Sequence, residues 1–247
     1  MYKLTILDEC DSTQEELKKT LKDNEFLAII AKRQFKGKGS YSREWISDPG
    51  GLYLSFNFPT IPLNLPASII FSVIVAISLQ EYVDHTLGKH LGIIYPNDLV
   101  VKLNGNYYKL GGILVEICGN NYVIGIGINV NNQVSNYQFE HKALSLNELS
   151  RIVNNKTYKF DVVDIAKNIL DKVSLFYSSR IDIYQRLLEL DFTHELKNVK
   201  ILVFMDGEEV IDTFDNIKID YNLKKIVLYK SRMRKDLEFE KVRRIFY

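Results

Sequence analysis

This chain of 247 residues has few cysteines and almost no net charge. Its two cysteines, Cys10 and Cys118, lack zinc-ligand spacing and indicate no disulfide framework, which is typical of a protein from a reducing cytosol. The net charge of +1 provides no overall cationic field for nucleic acid or membranes. The longest apolar run, residues 67–79, is shorter than the roughly 20 residues of a membrane span. We therefore expect a cytoplasmic protein with no membrane partner, in which any basic site is local.

Hydrophobic periodicity predicts mixed helices and strands followed by an all-β segment. Residues 2–7 alternate like a strand, and Ser12 with Glu15 has capping-box spacing at the start of a helix. Apolar spacing near 3.6 continues over 161–190, with Asp161 as its cap, and alternation dominates after about Lys197. The remaining predicted elements are strands at 26–33, 51–58, 91–95, 99–103, 111–118 and 121–128, a buried helix starting after Pro66, and hairpin turns at Asn104-Gly105-Asn106 and Gly119-Asn120-Asn121.

Four short stretches combine glycines with polar or charged side chains. The loop at 37–45 is cationic without Walker A spacing, which fits a solvated surface loop or a lid that closes over a phosphate-bearing ligand. Asn97-Asp98 is ordinary turn chemistry, and Lys109 precedes two glycines at a strand where a ligand could approach closely. Asn129 ends a strand containing a weak Gly-x-Gly signal. Taken singly, each stretch also fits a purely structural role.

Taken in order, these stretches resemble the catalytic domain of biotin protein ligases. That family carries a serine-threonine pair, a GRGRxGRxW loop, KWPND, K-x-GG-I-L-x-E and GIGIN in this succession. The counterparts here are Ser12-Thr13, "GKGSYSREW" at 37–45, "IYPND" at 94–98, "KLGGILVE" at 109–116 and "GIGIN" at 125–129. The resemblance covers roughly the first 190 residues. It implies an α+β fold of the class II synthetase type, with a mixed sheet and helices on one face over 1–194, and a small SH3-like β domain over 195–247.

The resemblance also implies a reaction and a set of site residues. An ATP-dependent ligase using Mg²⁺ would form biotinyl-5'-AMP and pass biotin to a lysine of a biotin carboxyl carrier domain belonging to a biotin-dependent carboxylase. Lys109 and Asp98 would be catalytic, the protein is expected to form a homodimer, and Asp98 and Asn129 would hold the metal. The implied biotin-binding residues are Ser12, Thr13, Gln34, Gly37, Lys38, Lys109 and Gly112. The implied ATP-binding or adenylate-binding residues are Lys38, Gly39, Arg43, Trp45, Asn97, Lys109 and Asn129.

Departures from the family pattern leave alternatives open. Lys38, Ser40 and Ser42 stand where the loop has arginine, arginine and glycine, while Ile94 and Tyr95 replace lysine and tryptophan. Because two cationic positions are lost, a degenerate homologue that binds biotin without turnover is one alternative. A lipoate ligase or octanoyltransferase relative is another, although an Arg-rich segment with three consecutive glycines near a His-Asp pair is missing. A DNA-binding repressor form is not expected, since the first catalytic strand is predicted at the very start of the sequence.

Overall fold

A seven-stranded mixed sheet forms the centre of the structure. The structure is a computed structural model that describes residues 2–22, 25–83, 85–88, 90–134, 142–178, 183–205, 208–231 and 233–246. The strands of this sheet are β1 (Tyr2–Cys10), β2 (Phe26–Gln34), β3 (Leu52–Pro59), β4 (Leu91–Ile94), β5 (Asp98–Leu103), β6 (Asn106–Cys118) and β7 (Asn121–Ile128). Their spatial order is β1-β2-β3-β7-β6-β5-β4. Only the pair β1 and β2 is parallel, and the other neighbours are antiparallel.

Both predicted hairpins are confirmed. Leu103 pairs with Asn106 around a turn in which Asn104 and Gly105 have positive φ. Cys118 pairs with Asn121 around Gly119, which also has a positive φ. Asparagine and glycine adopt this backbone region at low energetic cost, so local sequence sets these two registers.

Helices cover both faces of the sheet. They are α1 (Thr13–Thr20), α2 (Ala67–Tyr82), α3 (His85–Gly88), α4 (Leu146–Asn154), α5 (Val162–Tyr177) and α6 (Ile183–Leu190). The buried helix predicted after Pro66 is confirmed as α2, and it packs with α5 in the main hydrophobic core. Leu17 of α1 packs instead with Ile29 and Val123, whose neighbours along their strands point into the main core. The α+β mixed-sheet fold is confirmed, but the expectation that the helices lie on one face is wrong. Helix α1 lies on the face opposite α2 and α5, because alternate strand residues such as Ile29 and Val123 are apolar on that face as well.

A second sheet follows the last helix, and we call it the C-terminal sheet. It contains β8 (Lys197–Met205), β9 (Glu208–Asp220), β10 (Lys225–Lys230), β11 (Met233–Glu238) and β12 (Val242–Phe246). These strands are antiparallel, in the order β11-β10-β9-β8-β12. Its buried side chains, such as Ile201 and Phe214, belong to the same apolar cluster as the main core. The all-β prediction after about Lys197 is confirmed, while a domain boundary at 194/195 stays a prediction.

The helix caps agree with the sequence only in part. Asp161 caps α5 through backbone amides, as predicted. Ser12 occupies the N-cap position of α1 but makes no side-chain cap bond, so the predicted capping box is wrong there. The true capping box, between Ser145 and Glu148, begins α4, which the periodicity analysis missed. In the described part of the chain, no helix combines the length and apolar character needed to cross a membrane.

Candidate active site

A stripe of small residues on the α1 face of the sheet leaves room for a cleft. Gly125 of β7 lies between Ser55 of β3 and Leu114 of β6, and Gly127 lies next to Gly112. A Cβ atom added at Gly125 would come within 2.4 Å of Gln14, and one at Gly127 within 2.5 Å of the Trp45 ring. Glycine is required at both positions, because any larger residue would displace the side chains that enclose the cleft.

The cleft has a volume of about 350 Å³ and collects most of the residues implied by the sequence motifs. Its walls come from the start of α1, the loop after β2, the turn before β5, and strands β6 and β7. Of the implied residues, Gly37 and Asp98 are the two that do not line it directly. The implied residues that do line it are Ser12, Thr13, Gln34, Lys38, Gly39, Arg43, Trp45, Asn97, Lys109, Gly112 and Asn129.

At one end of the cleft, hydroxyl and amide groups form a continuous hydrogen-bond chain. The Thr13 hydroxyl donates its one proton to Gln34 Oε1 at 3.0 Å. In the 2.8 Å hydrogen bond between Thr13 and Ser55, Thr13 Oγ1 must therefore be the acceptor and the Ser55 hydroxyl the donor. Gln34 Nε2 then donates to Ser47 Oγ at 2.8 Å, and Ser47 donates to the Trp45 carbonyl at 3.0 Å. The direction of every bond is fixed, and the Thr13 amide donating to Gln34 Oε1 fixes the orientation of the Gln34 amide as well. This end is suited to a neutral polar heterocycle.

Beside it, Lys109 and Asp98 form a partly buried ion pair. The Lys109 Nζ atom lies 2.5 Å from Asp98 Oδ1, and the two side chains are only 19% and 15% exposed. The same ammonium lies 5.9 Å from the centre of the Trp45 ring. Trp45 Nε1 is buried and has no hydrogen-bond acceptor among the described residues. The ammonium is thus held at a fixed position on the cleft wall, where it can meet an anion.

The loop at 37–45 folds back on itself over the cleft. Trp45 N donates to the Gly37 carbonyl at 2.8 Å, and a Cβ at Gly37 would come within 2.3 Å of the Trp45 carbonyl oxygen. Lys38 forms a 2.6 Å ion pair with Glu15 of α1. Hydrogen bonds from Lys38 and then Lys18 hold the pKa of Glu15 below its usual value, so this carboxylate is ionised at neutral pH. A ligand phosphate would have to compete with Glu15 for Lys38.

Two departures from the family pattern acquire a physical explanation. Ser40 Oγ accepts a hydrogen bond from Asn97 Nδ2 at 3.1 Å, which ties the loop to the turn before β5. Asn97 also donates to the Ile113 carbonyl at 2.6 Å, so its amide anchors the turn. Ile94 is fully buried, and nothing larger or charged at this position could reach the cleft without repacking the core. The side chain of Ser42 lies outside the described residues.

The implied metal ligands provide hard oxygen atoms but no complete metal site. Asn129 is 6% exposed, and its Oδ1 accepts a hydrogen bond from Asn132 Nδ2 at 3.0 Å. Asp98 is paired with Lys109. Among the described residues, no three His, Cys, Asp or Glu side chains are grouped to hold a metal. This fits Mg²⁺, which proteins usually bind through one or two carboxylates together with substrate phosphates.

The structure also adds cleft residues that the motifs missed. Ser55 is fully buried in the middle of an apolar strand, and such a polar residue in the sequence was an available signal. Gln14, directly after Ser12-Thr13, lies over Gly125 and donates to Glu116 Oε2 at 2.9 Å. Arg244 reaches the cleft from β12 of the C-terminal sheet, and no local pattern could have placed it there.

Comparison with known sequences places the chain in a family. The sequence profile of the Biotin/lipoate A/B protein ligase family matches residues 7–131, which contain nearly all of the cleft residues. The chain belongs to the biotin/lipoate A/B protein ligase family. Relatives with a similar sequence include the bifunctional ligase/repressor BirA of Bacillus subtilis, which is 30% identical over 165 residues that cover 63% of this chain and 49% of BirA. BirA of Bacillus spizizenii is 32% identical over 154 residues, covering 58% and 46%. The chain thus spans about half the length of the curated relatives it matches.

Solved structures show the same fold for this family member along nearly the whole chain. A biotin protein ligase from Aquifex aeolicus, in complex with biotin and ATP, superposes with a TM-score of 0.74 at 22% identity and covers 98% of both chains. A Helicobacter pylori biotin acetyl coenzyme A carboxylase synthetase, with bound biotinylated ATP, gives a TM-score of 0.61 at 19% identity over 96% of this chain and all of the other. At sequence identities of 22% and 19%, the similarity to these structures shows a shared fold alone.

Proposed function

We propose that this protein is a biotin protein ligase that activates biotin with ATP and transfers it to a lysine of a carrier-protein domain. The observation that carries this proposal is the position of the Lys109 ammonium. It lines the same cleft as the polar side chains of Thr13 and Gln34 and the loop cations Lys38 and Arg43, and Asp98 holds it in place. A carboxylic acid with a polar head and a nucleotide with anionic phosphates would meet at this ammonium.

In the first step, a biotin carboxylate oxygen attacks the α-phosphorus of ATP, and the bond to pyrophosphate breaks. Two anions must approach to about 4 Å, which costs about 4 kcal/mol at an effective dielectric constant near 20. Lys109 lowers this barrier by contacting both anions, and its pairing with Asp98 keeps its position fixed. Because the ion pair exists before the substrates bind, little reorganisation is needed during the reaction.

The pocket at the other end favours biotin over lipoate. The ureido group of biotin offers one carbonyl and two N–H groups, and the hydroxyl and amide groups of Ser12, Thr13, Gln34 and Ser55 can match them. A dithiolane ring has no N–H or carbonyl group, so it could form none of these hydrogen bonds, and a site built to hydrogen-bond its ligand discriminates strongly against an analogue that lacks those groups. The polar chain from Ser55 to Ser47 therefore argues against the lipoate alternative.

Cations from two parts of the fold surround the space left for the phosphates. Lys38 and Arg43 come from the loop and Arg244 from the C-terminal sheet. Arg244 offsets part of the positive charge that is missing at Ser40 and Ile94, which supports turnover over a degenerate binding protein. Mg²⁺ would be held by Asp98, Asn129 and the phosphates, and it would neutralise charge on the departing pyrophosphate. Trp45 offers its indole face to the adenine.

In the second step, the amine of the acceptor lysine attacks the acyl carbon of biotinyl-AMP. A C–N bond forms, AMP leaves with the bridging oxygen, and one amine proton is lost. We assign this proton to Asp98, the carboxylate that is paired with Lys109 beside the cleft. The acceptor would be a biotin carboxyl carrier domain, and we expect the enzyme to act as a homodimer, which light scattering would test.

Biotin-dependent exchange of labelled pyrophosphate into ATP tests the first step directly. The proposal predicts exchange that requires biotin and is not supported by lipoate. Incubation with a carrier domain, ATP and biotin tests the second step, and mass spectrometry should show one added biotinyl group. Biotin binding without pyrophosphate exchange would favour a degenerate homologue that binds biotin without turnover. Exchange driven by lipoate would favour a lipoate ligase or octanoyltransferase relative.

A further inference from the structure

Tyr95 is held at both its side chain and its backbone by residues from the C-terminal part of the chain. It directly follows β4, at the start of the turn that leads to Asp98, and it is only 5% exposed. Its hydroxyl donates to the Phe239 carbonyl at 3.0 Å, and its backbone amide donates to Thr193 Oγ1 at 2.9 Å. The rings of Tyr95 and Phe239 are also in contact, with centres 5.3 Å apart. This residue therefore has little freedom to move by itself.

The contact through Thr193 continues to a buried carboxylate. Thr193 N donates to Asp191 Oδ1 at 2.8 Å, and the Tyr221 hydroxyl donates to Asp191 Oδ2 at 2.8 Å. Asp191 and Tyr221 are 5% and 6% exposed. Burial raises the pKa of both Tyr95 and Tyr221, so both phenols remain hydrogen-bond donors at neutral pH. Two routes thus lead to Tyr95. One runs from Tyr221, directly after β9, through Asp191 and Thr193, and the other comes from Phe239 in a short helix (Phe239–Lys241) before β12.

The turn held by Tyr95 carries the ion pair of the cleft. Asp98 follows Tyr95 along this turn and accepts the 2.5 Å bond from Lys109. A displacement of Tyr95 would move Asp98, and Lys109 would follow its partner. We propose that Tyr95, Asp191 and Tyr221 form a positioning network through which the C-terminal sheet sets the Asp98–Lys109 pair for adenylate formation. This inference rests on the proposed biotin ligase activity.

Two single-atom deletions and a matched control test the network. Tyr95→Phe and Tyr221→Phe each remove one buried hydroxyl, and deleting one such hydrogen bond should lower kcat for pyrophosphate exchange by about fivefold to tenfold. KM for biotin should stay within about twofold, since the head pocket lies away from the turn. The control is Tyr184→Phe, because the Tyr184 hydroxyl of α6 donates at 3.0 Å to Asn222, next to Tyr221 in the turn between β9 and β10, and this bond is not part of the network. This control should keep the kcat of the unmodified enzyme.

A double variant separates positioning from general loosening. If Tyr95 and Tyr221 act through one turn, the double variant should lose less than the product of the two single losses. Thermal unfolding checks each variant, and Asp191→Asn, which keeps the side-chain volume, replaces any phenylalanine variant that does not fold. Unchanged kcat in both single variants would overturn the inference, and so would an equal loss of kcat in the Tyr184→Phe control.

The single tryptophan of the chain provides a readout that does not need catalysis. Trp45 lies beside Lys109, so a shift of the ion pair should change its emission in the Tyr95→Phe and Tyr221→Phe variants but not in the control. If the unmodified protein shows no biotin-dependent exchange, the proposed function is refuted. The emission of Trp45 then tests separately whether the network positions the Asp98–Lys109 pair. Identical emission spectra for all the variants would refute the positioning network as well.

Discussion

Replacing Lys109 by methionine removes the cleft ammonium while keeping most of the side-chain volume. The ammonium is proposed to offset a repulsion of about 4 kcal/mol between the two reacting anions. Losing that contribution should slow biotin-dependent pyrophosphate exchange by about a thousandfold. Binding of biotin alone should weaken far less than exchange, because its polar head is recognised by Thr13 and Gln34 and only its carboxylate loses a partner.

The same change leaves Asp98 without its ammonium partner. Since the Asp98 side chain is only 15% exposed, we expect the free energy of unfolding to fall by about 1–3 kcal/mol. The double variant Lys109→Met/Asp98→Asn removes both charges and should recover most of this stability without recovering exchange. That result would show that the loss of activity is not a loss of folding.

A second lysine gives the matched control. Lys102 on β5 forms an ion pair with Glu195 and does not line the cleft. Lys102→Met should therefore keep exchange activity close to that of the unmodified enzyme. If Lys109→Met retained more than about a tenth of normal exchange, or if Lys102→Met lost as much, the electrostatic account of Lys109 would be refuted.

Three further predictions concern the rest of the cleft. Thr13→Val removes the hydroxyl that donates to Gln34 and should weaken biotin binding about tenfold by calorimetry, whereas unchanged affinity would contradict the assignment of the head pocket. Gly127→Ala places a methyl group against Trp45 and should raise KM for ATP and shift the tryptophan emission, and an unchanged KM would contradict the placement of the adenine beside Trp45. Residues 36–44 should be cleaved by protease in the ligand-free protein and protected by biotin plus ATP, and equal cleavage rates would argue against a lid.

Sequence alone was sufficient for features determined by neighbouring residues. The two asparagine-glycine turns set their own hairpin registers, and the apolar run over 67–79 could only be satisfied inside a core. The motif around Lys109 occupies a strand beside the cleft, and the motif residues from distant segments converge there because the sheet topology brings them together. Only the family resemblance predicted that these residues lie together, because the spacing of the motifs along the chain does not show which of them are close in space.

Features that depend on distant partners could not be predicted. Glu15 has the spacing of a capping box, but two lysines, one of them from the loop, compete for its carboxylate more strongly than a backbone amide does. Arg244 lines the cleft although it lies far from the motifs in the sequence, and Phe239 contacts Tyr95 from the same distant part of the chain. Sequence patterns report local preferences, and these contacts are the result of tertiary packing.

The most direct test of the central claim is a crystal structure with biotin and a non-hydrolysable ATP analogue bound together. We predict that Lys109 Nζ lies within hydrogen-bond distance of both the biotin carboxylate and the α-phosphate. A nucleotide bound in the cleft with its α-phosphate out of reach of Lys109 would contradict the account.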